Sequence, residues 1–458
     1  MPAKSIGVID IAKSVARVAI VDLENMVEID QRKTINQLLS EGPYPHFDVE
    51  SMWTFIVDSL TELGREHDID AICVTTFGSC AALVGADGQL ALPVLDYEYS
   101  GPDKIARDYD KVRPDFTETF SPRLTAGRNL GAQLFWQQQT FPGEFSSVQW
   151  ILPYPQYWGF RLTGVASSEI TSLGCHTDLW NVETDLYSSL VQRQGWLAKM
   201  PDVKRASDVL GVVEPGLAAQ MGLKPDTPVH VGIHAHNADL LPHLIDHELP
   251  FAVVSTGPRI NVYAPGGSVA DLDPARDSLV YLDAFGRPVP AARFPGGKEY
   301  KRLIGEQAPA HVGDAAVARV LDEPIMLLPS VTPGSGPFPE SKAHWTVPEH
   351  TLDQESRLVA VTFYLALMTA ECLEITGADG NTIVGGRFAS NRLFIEMLVA
   401  ATNRGVEAIT SSQVGSTIGA ALLARMEWTD TNRAVREPIK GSPLMSRYAE
   451  IWREAANK

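Results

Sequence analysis

The alternation of apolar and polar positions divides the chain into strands and helices from its first residues. Ser5 to Asp22 carries apolar side chains at Ile6, Val8, Ile9 and Ile11, and again from Val18 to Val21. That pattern predicts two strands joined by a tight turn at Ala12-Lys13-Ser14. Met52 to Leu63 repeats apolar residues at helical spacing through Trp53, Ile56, Leu60 and Leu63, and Ala71 to Thr75 follows as a buried strand. Asp87-Gly88 predicts a hairpin turn. Gly131 to Gln139 reads as a helix. Trp150 to Gly164 is apolar and aromatic, helical in its later part, and Glu169 to Trp180 reads as a polar loop. Strands alternating with helices argue an α/β fold.

The stretch from Val229 to Arg259 is the most informative. A strand through Val229, Val231 and Ile233 runs into a polar turn, His234-Ala235-His236-Asn237. An apolar segment from Leu240 to Ile245 begins as a helix and is expected to break at Pro242. A second strand, Phe251 to Val254, ends on Ser255-Thr256-Gly257. Small hydroxyl and glycine residues at a strand end let backbone N–H groups approach an anion closely. Farther on, Leu358 to Ile375 predicts a long helix. A strand at Asn381 to Val384 leads into Gly385-Gly386 and Asn391, and helices follow at Leu393 to Thr402, Ser416 to Arg425 and Met445 to Ala455. Loops rich in Pro and Gly, Pro288 to Lys298 and Pro329 to Pro339, either close over a substrate or decorate the fold. Both halves open on strands and close on small-residue helices, which hints at a duplicated unit.

Composition narrows the function. The 458 residues allow two or three domains, and a 45% hydrophobic fraction fills large cores. No apolar run is expected to reach membrane-spanning length, and the N-terminus enters a strand without a signal-peptide pattern. Cys73, Cys80, Cys175 and Cys372 lack metal-ligand spacing and read as reduced thiols of a cytoplasmic protein. The net charge of −18 argues against nucleic acid and anionic membrane as partners.

Candidate chemistry sits at strand ends. Asp10 closes a buried strand, where a carboxylate is costly without a turn-capping or a metal or phosphate role. Thr76-Phe77-Gly78-Ser79 and the cluster Asp96-Tyr97-Glu98-Tyr99 combine hydroxyls, carboxylates and aromatic faces, a set suited to a sugar. No P-loop and no dinucleotide fingerprint occurs. His234 and His236, with Asp239 and His243 nearby, permit an alternative reading as a metal-dependent hydrolase.

Taken in order, Asp10 to Ser14, Ser255-Thr256-Gly257 and Gly385-Gly386 with Asn391 resemble the FGGY family of carbohydrate kinases, in the actin-like ATPase superfamily. The resemblance runs from about residue 5 to 430 and is nearest to the rhamnulokinase and fuculokinase branch. It implies two actin-like (ribonuclease H-like) domains, 1–249 and 250–458, around a central cleft for ATP and sugar. It implies ATP-dependent phosphorylation of a sugar, ketose or polyol in the cytoplasm, with Mg²⁺ held through water by Asp10 and homodimer formation an open question. The first phosphate motif maps to Asp10, Lys13 and Ser14, and the second to Ser255, Thr256, Gly257 and Arg259. Gly385, Gly386 and Asn391 map to the adenosine motif, followed by the helix Ser416 to Ala421. Thr76, Phe77, Gly78, Ser79, Asp96, Glu98 and His234 map to the sugar side.

The departures are specific. Ala12-Lys13 replaces the usual Gly-Thr, and Pro258-Arg259 follows the second motif in place of Thr-Trp or similar. Lys13 and Arg259 would bring positive charge to the ATP phosphates. The position of the family's proton-accepting Asp is Ala235. Losing a general base costs about 10²–10⁴-fold in rate. His236 and Asp239 are close enough in sequence to substitute. These changes also permit a pseudo-kinase that binds sugar or nucleotide without turnover.

Overall fold

The computed structural model of the chain describes residues 3–305, 312–409, 415–425 and 442–458. It divides into two compact units. One takes the chain to Asp246, then Val280–Pro288 and the described residues 415–425; the other takes His247–Leu279, the described residues between 289 and 409, and 442–458.

The first unit is built on a sheet whose central strand, Ser5–Ile11, is buried from Ile6 to Ile11. It pairs antiparallel with Val15–Asp22, and that strand pairs antiparallel with Val27–Ile35. The turn between the first two closes through Ala12 N–H donating to Val15 O at 2.9 Å. On its other side Ser5–Ile11 lies parallel to Ala71–Thr76, with Asp10 opposite Thr75 and Ile11 opposite Thr76. The helix Val49–Glu66, capped by Asp48 on Ser51 N–H, buries Met52, Ile56, Leu60 and Leu63. Those are three of the four residues whose spacing predicted it, plus Met52; Trp53 stays partly exposed.

Three expectations need correction here. The strand expected through Val229 to Ile233 is two pieces, Pro228–His230 and Ile233–His234, both parallel to Ala71–Thr76. The break falls at Gly232, with φ +90°, where a Cβ would stand 2.7 Å from Val74 O. Only glycine passes that point, and the kink brings His234 opposite Thr76. The expected polar turn is instead the first turn of a helix, Ala235–Asp246, which continues through Pro242. Proline there removes a single ladder donor, the one that would reach the Ala238 carbonyl. That carbonyl meets the helix Ser416–Ala421 at Gly419, where a Cβ would lie 1.7 Å from Ala238 O. Finally, the polar run after Glu169 holds a short helix, Ile170–Leu173, with Glu169 as its cap.

In the second unit Pro288–Phe294, read from the sequence as part of a loop, is a strand: it pairs antiparallel with Ile260–Tyr263, and that strand antiparallel with Ala252–Thr256, while a helix begins at Gly296. Ala252–Thr256 lies parallel to Thr382–Gly386, which lies parallel to Val406–Ile409. The order and directions repeat those of the first unit, so the hint of duplication is correct at the level of topology. Against the sheet packs the helix Gln354–Ile375, capped by Asp353 on Ser356 N–H and buried along almost its whole length. This helix is long and apolar enough to cross a membrane, contrary to the sequence expectation, but 94% of its most apolar window is buried inside the protein. Thr362, Thr369 and Glu371 interrupt the apolar run, which hid its overall hydropathy.

Candidate active site

In the first unit three groups of side chains gather where Ser5–Ile11, Ala71–Thr76 and Ile233–His234 end together. The first surrounds Asp10, which is 6% exposed. Its Oδ2 accepts from Arg17 Nε at 2.9 Å and Nη2 at 2.7 Å, from Ser416 Oγ at 2.8 Å and from Thr417 Oγ1 at 3.1 Å. Four donors on one oxygen hold the carboxylate in a fixed direction, and among the described residues Oδ1 takes no hydrogen bond. Arg17 sits opposite Asp10 on the adjoining strand, a pairing that strand register alone supplies. Asp239 belongs to the same group. Its side chain is exposed, yet the protein packed around its position and the nearby Asp10 charge raise its carboxyl to about 7, against the pull of Arg17 and the Ser416 N–H.

Lys13 anchors the second group. Its ammonium donates to Asp96 Oδ1, lies 3.6 Å from Glu98 Oε2, and stands over the rings of Tyr97 at 4.4 Å and Phe47 at 5.2 Å. Phe77 packs among the same aromatics, 5.5 Å from Tyr97 and 5.1 Å from Phe47. The charge expected at the ATP phosphates is thus held by the carboxylates of the sugar-side cluster. Ser14 contributes its backbone, accepting from Asn36 N–H at 3.0 Å.

The third group centres on His234, 3% exposed, whose ring stacks on Tyr281 at 6.2 Å and 12° and meets His236 edge-on at 5.1 Å. Its Nδ1 is buried without a hydrogen-bond partner. Burial, together with the neighbouring His236 and His176, drives its pKa well below the usual histidine value, so the ring is neutral. Gly78 is required beside it, since a Cβ there would stand 2.7 Å from His234 Nε2. Thr76 donates its hydroxyl to Phe77 O at 2.9 Å, and Ser79, at φ +65°, places its Oγ 3.2 Å from His176 Nδ1. Behind His234, Thr171 Oγ1 accepts from the His234 N–H at 3.1 Å and donates to Glu169 Oε2 at 2.6 Å. Arg17, His176 and Tyr281 were missed in the sequence. Arg17 was legible as the residue opposite Asp10 across the hairpin; the other two arrive from distant segments.

In the second unit Thr256 ties two expected motifs together. Its hydroxyl donates to Gly385 O at 2.6 Å and accepts from Phe388 N–H at 2.9 Å, while its carbonyl accepts from Arg387 N–H at 2.9 Å. Gly386, at φ +81°, fits only without a Cβ, which would lie 2.4 Å from Thr256 O. Ser255, Gly385 and Asn261 lie in register across the sheet. Asn391 caps the helix Arg392–Thr402 through Phe394 N–H at 3.1 Å. Arg259 is ion-paired with Asp277 at 3.2 Å.

Comparison with known proteins bears on the family and the fold. The N-terminal domain of the FGGY family of carbohydrate kinases matches residues 5–241, and the FGGY carbohydrate kinase C-terminal domain matches residues 248–433. The chain belongs to the FGGY family of carbohydrate kinases. A solved carbohydrate kinase from Novosphingobium aromaticivorans is 32% identical, covering 98% of this chain and 100% of that one, with a TM-score of 0.88. A xylulose kinase from Lactobacillus acidophilus shares the fold at 13% identity, with a TM-score of 0.78 over 99% of this chain and 98% of that one. The L-fuculokinase of Salmonella typhi is 25% identical over 173 residues, 37% of each protein. The match therefore spans little more than a third of that relative.

Seen as an FGGY kinase, the chain keeps its strand-end elements, but Ala235 opens the helix Ala235–Asp246 and its methyl group accepts no proton, while His236 follows it on the same turn. The zinc reading of His234 and His236 finds no support. Among the described residues the one group of three metal-ligating side chains with ligand atoms within 4.8 Å is Asp30, Glu66 and His67, and neither histidine belongs to it.

Proposed function

We propose that this FGGY kinase transfers the γ-phosphoryl group of ATP to a hydroxyl of a small sugar or polyol in the cytoplasm. The observation that carries the reading is the fixed carboxylate of Asp10, held by Arg17, Ser416 and Thr417 at the strand edge shared with Thr76 and His234. Phosphoryl transfer depends mainly on positioning and charge stabilisation, and a rigidly oriented carboxylate serves both. The donor set is all oxygen, which fits Mg²⁺ bound partly through water. Asp10 Oδ1 is the carboxylate oxygen that would hold it. The ion would supply charge neutralisation on the phosphates.

The sugar's place is the face lined by Phe77 and Tyr97, with Asp96 and Glu98 as hydroxyl acceptors and His234 offering its unpartnered Nδ1. Ser255, Thr256, Gly257, Gly385 and Gly386 are assigned to the nucleotide, with Asn391 shaping their loop. For the proton on the acceptor hydroxyl, Asp239 is better placed than His236. Residues four apart share a helix face, and helical side chains lean toward the N-terminus, so Asp239 covers the turn that Ala235 leaves bare.

The test is ADP release from Mg-ATP over a panel of ketoses, deoxyketoses and polyols. Sugar-dependent ADP is expected. Thermal stabilisation by ATP and sugar without any ADP would replace catalysis with binding alone.

A further inference from the structure

Arg259 follows the Ser255–Gly257 strand end by two residues, yet its charge is directed into its own unit. Its Nη2 meets Asp277 Oδ2 at 3.2 Å. Asp277 takes φ +54°, a left-handed conformation that Asp and Asn tolerate better than other side-chain-bearing residues. From there the same Oδ2 accepts from Ser335 Oγ at 2.6 Å and from Gly336 N–H at 2.9 Å. Arg293 Nε stands 3.8 Å from Oδ1. The adjacent Arg276 donates to Pro337 O at 2.9 Å. The hairpin itself closes through Gly257 N–H on Arg259 O at 3.0 Å, and Pro258 O accepts from Lys298 N–H at 3.1 Å. Gly297 lies so close that a Cβ would be 2.0 Å from Gly257 O. One carboxylate therefore joins three segments: the hairpin after Thr256, the turn at Pro274–Arg276, and the Pro- and Gly-rich loop at Ser335–Pro337.

We propose that Asp277 is a positioning residue for nucleotide binding. It holds the Gly257–Arg259 hairpin against the Ser335–Pro337 loop, so that the backbone N–H groups at the end of the Ala252–Thr256 strand keep one orientation. Charge-assisted hydrogen bonds of this kind are the strong ones, so the Arg259–Asp277 contact adds its hold to that of Lys298 N–H on Pro258 O. The Pro329 to Pro339 loop then acts as a support for the hairpin. The inference rests on assigning Ser255–Gly257 to the nucleotide, and its test separates the two claims.

Amide hydrogen exchange is measured on the unliganded full chain for wild type, Asp277→Ala, Asp277→Asn and Arg259→Ala, beside Mg-ATP affinity by calorimetry. Asp277→Ala is expected to speed exchange at Gly257 and Gly336 while leaving the helix Arg392–Thr402 unchanged. Asp277→Asn keeps an acceptor for Ser335 and Gly336 and tolerates the same φ, so it should retain protection at Gly336 and lose it at Gly257. Arg259→Ala should reproduce the Gly257 effect alone. Mg-ATP affinity should fall about tenfold in Asp277→Ala, with no further loss on adding Arg259→Ala and with the sugar KM unchanged. Unchanged exchange at Gly257, or exchange rising equally at every amide of the unit, overturns the clamp. Faster exchange at Gly257 with unaltered Mg-ATP affinity overturns its link to nucleotide. A wild type that binds no Mg-ATP refutes the nucleotide assignment, and with it the proposed role, while the exchange data still decide the clamp.

Discussion

The two sheets share one strand order and end their central strands in opposite chemistries. In the first, Ser5–Ile11 delivers a buried carboxylate, Asp10, whose direction is fixed by side-chain donors from a neighbouring strand and a distant helix. In the second, Ala252–Thr256 delivers a hydroxyl whose partners are the Gly385 carbonyl and the Phe388 N–H, both backbone groups. One edge is organised by charge and the other by main chain. Duplication of a fold therefore supplies a pair of equivalent platforms, and the residue at the strand end decides what each can hold.

The comparison makes the first edge the place where single substitutions should change chemistry most. Ala235→Asp restores a carboxylate on the first helical turn there. With Asp239 already taking the proton the gain in kcat should be small; a rise of roughly 10²–10⁴-fold would show instead that the proton had no acceptor. Measured beside it, Asp239→Ala should abolish turnover and His236→Ala should leave it nearly intact; the reverse order would move the proton to His236. Asp10→Asn should lower kcat by about 10²–10³-fold, the usual scale for removing one preorganised electrostatic group, with the protein still folded because Asn accepts from Arg17, Ser416 and Thr417. A full-rate Asp10→Asn enzyme would erase the contrast between the two edges.

At the second edge the expected loss is one of order, not charge. Thr256→Val keeps the shape and strands the Phe388 N–H, which should cost about 1–3 kcal/mol of stability and be visible in a denaturant midpoint. An unchanged midpoint would mean that the main-chain edge does not depend on its hydroxyl.

The smallest effect concerns pH. Glu169 is buried, and desolvation lifts its carboxyl to about 7 despite four donors from Thr171 and Ser172. A folded pKa above the unfolded value means that the folded state holds the extra proton. This group's contribution to stability is complete below about 4.3 and is lost as pH rises through about 7. Glu169→Gln should remove that downward slope from stability measured between those limits. Persistence of the slope would assign it elsewhere. The same variant should loosen the Thr171 support behind His234, read as a raised sugar KM.

Periodicity identified the central strands and the long helices of the two platforms, because each buries one face and spacing records which, but not the outer strands Val27–Ile35, Pro288–Phe294 and Val406–Ile409. It failed where glycine and proline act through neighbours absent from the local sequence. Gly232 splits a strand because of Val74, and Pro242 stays inside a helix because its missing donor concerns a single carbonyl. Family motifs located Asp10, Thr256 and Gly386. They could not show that Lys13 turns toward Asp96 or that Arg259 is paired with Asp277, since both partners lie far along the chain. His176 and Tyr281 were illegible for the same reason.

The contact between Gly419 and the Ala238 carbonyl ties packing to reactivity. Ser416 and Thr417, which orient Asp10, open the same helix that carries Gly419. A methyl group at 419 would push that helix away from Ala238, and two hydroxyls would leave Asp10 with it. An inert, fully buried position thus governs the aim of a charge it never touches. Inheritance of the carboxylate alone would not preserve the site; Gly419 has to travel with it.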